Sequence, residues 1–241
     1  MRFNGIDINT IHPAISRGGE TPPGMAARDI ATMETGRGDL VVNIMPAPEE
    51  YTVHVNVAAQ THEEAMEARA ALAKWAASSG SKPGELEPTH APYKAYTAIL
   101  KRIGRFEKRF GTVDVVFMLT DGIQHDIRTR SQKLMGTDVT VQIGGSAPVQ
   151  PQVSAAPTKT VQGFTLYFDG APVLKLTGSI EAGQTVVYAM DTGAVTIDGE
   201  LANERIVYTE TDPDAELTPG MHKVSASAEA VLQVRWNDRW L

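Results

Sequence analysis

The 241-residue sequence contains no cysteine. That excludes disulfides, thiolate nucleophiles and cysteine-ligated zinc, and leaves burial to hold the fold together. No apolar run approaches the roughly 18 to 20 residues that cross a bilayer as a helix. The opening MRFNGIDINTIHP lacks the apolar core of a secretory signal, so synthesis in a cytoplasm is expected. Cations are scarce in one half only: residues 151–241 carry 6 Lys+Arg against 12 Asp+Glu, whereas residues 1–150 carry 16 against 17. An acidic second half repels phosphates and disfavours nucleic-acid binding there. What is present in quantity is apolar material, 42% of residues with 21% charged, enough for a packed core and against whole-chain disorder.

The periodicity divides the chain into two domains, 1–145 and 146–241. Gly144-Gly145-Ser146-Ala147-Pro148 and the residues up to Pro157 have linker composition and coincide with the change in charge. In the first domain, Thr61 and Glu64 make a T-x-x-E capping box that opens a helix. Ala65, Ala68, Leu72, Trp75 and Ala76 follow at helical spacing, and Ser78-Ser79-Gly80 ends it. Strands are expected at Leu40–Met45, Tyr51–Val57, Tyr93–Ile99 and Thr112–Leu119, with a turn at Asp121-Gly122 and a long loop over residues 18–24. The second domain shows short β-prone runs at Phe164–Phe168, Val173–Leu176, Thr185–Met190, Ala194–Ile197, Arg205–Tyr208, Lys223–Ala226 and Ala230–Trp236. Asp-Gly, Asp-Thr-Gly and Pro-Gly turns punctuate them, the pattern of a β-sandwich. The fold class is therefore mainly β, with one helix packed on the first domain.

Motifs of catalysis do not accumulate. Asp191-Thr192-Gly193 has the form of an aspartic-protease loop, which works as a pair and would need a homodimer; the commoner reading is a hairpin turn. His62-Glu63 starts a zincin motif, but position 66 is Met66 where the second imidazole is required. His12, His54, His90, His125 and His222 show no ligand spacing. Gly36-Arg37-Gly38-Asp39 opens a strand rather than the helix a dinucleotide fingerprint needs, and its R-G-D tripeptide is too short to weigh. Lys101, Arg102, Arg105, Lys108 and Arg109, with Phe106 and Phe110 between them, superficially suggest a nucleic-acid platform; the plainer reading is a solvated surface or a subunit contact. Trp236 reads as core, and Trp240 as the aromatic a glycan would stack on if the protein were instead a carbohydrate-binding β-sandwich at a cell surface. No enzyme and no cofactor are expected.

The order of features resembles the distal tail proteins of long-tailed siphophages over essentially the whole chain. It runs from Phe3-Asn4-Gly5-Ile6 through Gly36-Arg37-Gly38-Asp39, Arg69-x-x-Leu72-x-x-Trp75, Tyr93-x-Ala95 and Val115-Val116-Phe117. It closes with Leu217-Thr218-Pro219-Gly220-Met221-His222-Lys223-Val224 and Trp236-Asn237-Asp238-Arg239-Trp240-Leu241. The resemblance implies an N-terminal β-barrel-like domain carrying the helix and a galectin-like C-terminal sandwich, in a short form without an inserted carbohydrate-binding module. It implies a structural adaptor of the virion tail tip, present in host cytoplasm before assembly. A homo-hexameric ring would join the major tail tube protein to the tail-tip hub, and receptor-binding proteins could dock on it; no membrane and no specific nucleic acid are involved. A ring closes through two different patches per subunit. The candidates are the residue 18–24 loop, with Glu20, Pro22 and Pro23, and the basic cluster at Lys101, Arg102 and Arg105, because both would otherwise be exposed.

Overall fold

The computed structural model describes residues 1–23, 28–35, 38–46, 49–105 and 109–241, with 28–35, 38–46 and Asp121 described by backbone alone. The chain forms two compact units, Met1–His125 with Leu241, and Asp126–Trp240.

The first unit holds β1 (Arg2–Phe3), β2 (Ile6–Asp7), β3 (Ile15–Thr21), β4 (Arg28–Thr35), β5 (Gly38–Pro46), β6 (Glu50–Ala58), α1 (His62–Ala76), β7 (Gly84–Glu87), β8 (Lys94–Ile103) and β9 (Phe110–Asp126). Its main sheet runs β2-β1-β7-β8-β9-β6-β3. Strict alternation in β6 puts Tyr51, Val53, Val55 and Val57 inward, opposite Phe117, Val115 and Val113 of β9. The helix lies over this face, burying Ala65, Ala68, Leu72, Trp75 and Ala76. Trp75 meets Phe117 edge-on at 5.9 Å and Phe3 at 6.1 Å, a geometry that adds to plain area burial. Its indole N–H is satisfied by the Ile6 carbonyl at 2.9 Å. Thr61 caps the helix by accepting from the Glu64 N–H at 3.1 Å. The reciprocal bond falls one residue outside the expected box: Glu64 accepts from the Gln60 N–H at 2.6 Å. The hairpin β4–β5 forms a two-stranded sheet of its own.

The second unit holds β10 (Arg130–Ile143), β11 (Gln152–Pro157), β12 (Val161–Phe168), β13 (Ala171–Ile180), β14 (Val186–Ala189), β15 (Ala194–Ile197), β16 (Glu200–Leu201), β17 (Gly220–Trp236) and β18 (Arg239–Trp240). Strand order is β13-β12-β17-β11-β14-β15-β16, with β10 on the remaining side of β17. β17 pairs with β12 up to Ala226 and with β11 from Ala230, so one long strand serves two stretches of sheet around a single core. The Asp169-Gly170 and Asp198-Gly199 turns have positive φ at both residues, the conformation that tight hairpins require.

Several expectations are corrected. Lys223–Ala226 and Ala230–Trp236 are one 17-residue strand, because β10 pairs along both stretches. Arg205–Tyr208 is not a strand but links two short 3-10 turns, Asn203–Arg205 and Tyr208–Glu210. Asp121-Gly122 is not a turn: β9 continues through it, and Gly122 at φ 65° absorbs the irregularity. The expected loop 18–24 is strand as far as Thr21; β3 ends the sheet order, and Gly24 lies outside the described residues. The linker composition up to Pro157 conceals β11, whose Val153 and Ala155 are core residues. The two compact units part at His125–Asp126, and β10 pairs throughout with β17.

Candidate functional site

Glu20 owes its position to a bulge in β3. The register shifts between Arg17 and Gly19, and a Cβ on Gly18 would stand 2.7 Å from Asn56 Oδ1 and 3.0 Å from the His54 carbonyl. The bulge thus brings Glu20 opposite Val53 with its carboxylate turned inward, only 6% exposed. It accepts from the Tyr51 hydroxyl at 2.7 Å, the Thr89 hydroxyl at 2.6 Å and the Thr89 N–H at 3.0 Å, and pairs with Arg17 at 3.3 Å. Burial alone would raise its pKa, but the hydrogen bonds from Thr89, Tyr51 and Arg17 prevail and hold it at about 2. The same contact, after burial, pushes the Tyr51 hydroxyl well above its ordinary value. Glu20 is therefore committed to its own unit. Pro22 is exposed and Pro23 half-buried.

Beside it, the Thr21 hydroxyl stands 2.8 Å from His54 Nε2, and His54 Nδ1 stands 2.8 Å from Asp114 Oδ1. The order hydroxyl–imidazole–carboxylate is that of hydrolytic triads. Here the imidazole and carboxylate side chains are 36% and 54% exposed, on the sheet face opposite the core. In water such a relay orients side chains but gains little electrostatically. It clasps β3, β6 and β9.

The basic cluster disperses. Lys101 pairs with Glu50 at 2.6 Å, Arg109 donates to the Gln60 carbonyl at 2.9 Å, and Arg102 and Arg105 are exposed. Phe106 and Lys108 lie outside the described residues, as do Gly36 and Arg37. Asp191-Thr192-Gly193 is the exposed turn joining β14 to β15. Trp236 is core; Trp240 is half-buried, its indole N–H 3.3 Å from Asp126 Oδ1.

One constellation escaped sequence reasoning. Asp238 is fully buried. Its Oδ1 accepts from the Gly144 N–H at 2.9 Å and from Trp236 Nε1 at 3.0 Å, and its Oδ2 lies 2.8 Å from the Arg130 guanidinium. A Cβ on Gly144 would fall 2.3 Å from Asp238 Oδ2, and one on Gly145, at φ +80°, 2.0 Å from the Arg239 carbonyl. The Gly144-Gly145 pair is thus a seat for the Asp238-Arg239 turn rather than a flexible joint. The adjacent Gly-Gly was the available signal, and it read as linker.

A shallow cavity of about 340 Å³ beside β15 and β16 is lined by Asp198, Glu200 and Glu204 against one guanidinium, Arg205. Among the described residues no cluster of His, Asp and Glu could hold a metal ion, and no helix is long and apolar enough to cross a membrane.

Residues 144–240 match the family described as siphovirus-type tail component, C-terminal domain. The whole chain shares its fold with the Dit protein of phage SPP1, described as a paradigm of the hub adsorption apparatus in phages infecting Gram-positive bacteria. The TM-score is 0.82 at 11% identity, covering 100% of this chain and 98% of that one. A chain of the phage P2 baseplate, in its activated conformation with calcium, aligns at TM-score 0.50 and 8% identity over 97% and 92% of the two chains. No curated protein matches. The resemblance read from the sequence is thereby met by the family model over residues 144–240 and by the fold over the full length.

Proposed function

We propose that this protein is a distal tail adaptor. Six copies close a ring at the tip of a siphovirus-type tail, joining the major tail tube protein to the tail-tip hub, and the galectin-like second unit faces outward to dock receptor-binding proteins. It acts by binding rather than by catalysis. The observation that carries this reading is the agreement of both units at once with a hub-apparatus protein over 98% of that chain's length, with the tail-component family covering residues 144–240. The hairpin β4–β5 supports it physically. An isolated two-stranded hairpin is marginally stable in water, and among the described residues this one pairs with no other strand. A neighbouring copy supplies the missing surface, and the hairpin and its acceptor are the two unlike patches that ring closure needs.

The test is solution mass by light scattering with negative-stain imaging. Six chains of 26.0 kDa amount to about 156 kDa, in a particle with a central hole. Replacing residues 28–46 by a short Gly-Ser loop is expected to yield monomers of native β content. A hairpin-deleted chain that still forms the ring would remove this support, and a wild-type chain that stays monomeric with purified hub protein present would end the ring reading.

A further inference from the structure

The turn between β1 and β2 combines exposure with tight anchoring. Asn4-Gly5 is the one Asn-Gly pair in the sequence. Both residues have positive φ, 48° and 75°, as a two-residue hairpin requires, and they bring Phe3 opposite Ile6. Both are exposed. Among the described residues the Gly5 N–H donates no hydrogen bond, and a Cβ on Gly5 would meet nothing within 4 Å. A carboxamide followed by an unbonded glycine amide can close onto its own main chain, because glycine has no side chain to block the approach.

The side chain is nevertheless held. Asn4 Oδ1 accepts from the Glu85 N–H at 3.0 Å, and Asn4 Nδ2 donates to the Ser78 hydroxyl at 3.2 Å. The main chain adds a bond from the Asn4 N–H to the Glu85 carbonyl at 2.9 Å. Room for the carboxamide comes from Gly84, where a Cβ would collide with Oδ1. Both side-chain tethers must break before Cγ can swing over to the Gly5 nitrogen. The residues flanking the turn belong to the core of the first unit. Phe3 is fully buried and meets Phe117 at 4.7 Å, and the Ile6 carbonyl accepts the Trp75 indole N–H at 2.9 Å.

We infer that Asn4 is a site of spontaneous deamidation, that its tethers to Glu85 and Ser78 restrain it, and that the isoaspartyl product undoes the Trp75 anchor. The Gly5 nitrogen gives up its proton and bonds to Asn4 Cγ. The Cγ–Nδ2 bond breaks, and Nδ2 leaves as ammonia with that proton, so that a five-membered imide remains. Water opens the imide, its hydroxyl going to a carbonyl carbon and its other proton to the nitrogen. Opening at Cγ yields an aspartate, which keeps an acceptor for the Glu85 N–H. Opening at the main-chain carbonyl yields an isoaspartate, whose backbone runs through the side-chain methylene and is one carbon longer. A two-residue turn lengthened in this way cannot keep Phe3 opposite Ile6. The Ile6 carbonyl then withdraws from Trp75, leaving a buried N–H unpaired.

Ageing the full-length chain at mildly alkaline pH tests it, with position 4 followed by peptide mass spectrometry and isoaspartate by methyltransferase labelling. The folded chain is expected to convert at position 4 about tenfold more slowly than the same chain in guanidinium chloride, the factor two broken hydrogen bonds supply. Ser78→Ala should speed conversion of the folded chain about threefold. The isoaspartyl fraction is expected to unfold at lower denaturant than fresh protein, whereas Asn4→Asp stays close to wild type. Equal rates with and without denaturant overturn the restraint, and an unfolded chain that ages without change at position 4 overturns the site. An isoaspartyl fraction as stable as fresh protein, or Asn4→Asp as unstable as that fraction, overturns the link to Trp75.

Discussion

The first unit covers its sheet with a helix, whereas the second covers its sheet with more sheet. In the first, α1 lays Leu72 and Trp75 on strands whose inward residues alternate, and the contacts that matter along the helix are three and four residues apart. In the second, β17 is shared between two stretches of sheet and β10 pairs with it across about a hundred residues, Arg130 with Trp236. A helix-backed sheet draws part of its order from local structure. The second unit has local hairpins, β12–β13 and β14–β15, but the shared strand gathers them only when its ends meet, and there Gly144, Gly145 and Asp238 provide a lock.

The sharpest way to break this contrast is at the two anchors. Trp75→Ala removes the helix's largest buried side chain and is expected to cost about 3–5 kcal/mol; denaturant melts should show the loss in the first unit's signal. Gly145→Ala places a Cβ against the Arg239 carbonyl in a left-handed backbone conformation. It should cost about 3 kcal/mol, read as a lowered melting midpoint with Trp236 fluorescence reporting the second unit. Native-like stability in Gly145→Ala would mean that the Asp238-Arg239 turn is not a lock.

A smaller effect separates the units by pH. Glu20 has a folded-state pKa of about 2 against an ordinary 4.5, so its contribution is full above 4.5 and is lost as pH falls from there through 2. Glu20→Gln is expected to cost about 2 kcal/mol at pH 7. The gap to wild type should close as acid is added, measured by urea midpoints between pH 7 and 2.5. A pH-independent gap would assign the loss to packing.

Legibility followed the range of the interactions. The helix, its buried stripe and the Thr61 cap could be read because capping and periodicity are encoded within a turn or two. The Asp169-Gly170 and Asp198-Gly199 hairpins could be read because positive φ selects residue types locally. Glu20 was legible only as an exposed loop residue: its acceptor role depends on Thr89, 69 residues away. The Gly-Pro stretch from Gly144 to Pro157 looked like a joint because nothing nearby in sequence reveals Asp238, 94 residues from Gly144.

The sequence by itself therefore determined a cysteine-free, mainly β protein with one amphipathic helix, tight hairpin turns and no recognisable catalytic motif, since composition and short periodicities suffice for each. The tertiary structure alone decided that β10 and β17 form one ladder, that two glycines seat a buried carboxylate, and that the Asn4 side chain is tied to Glu85 and Ser78. Each of those is a pairing between residues the chain keeps far apart, where close approach rather than residue type selects what fits.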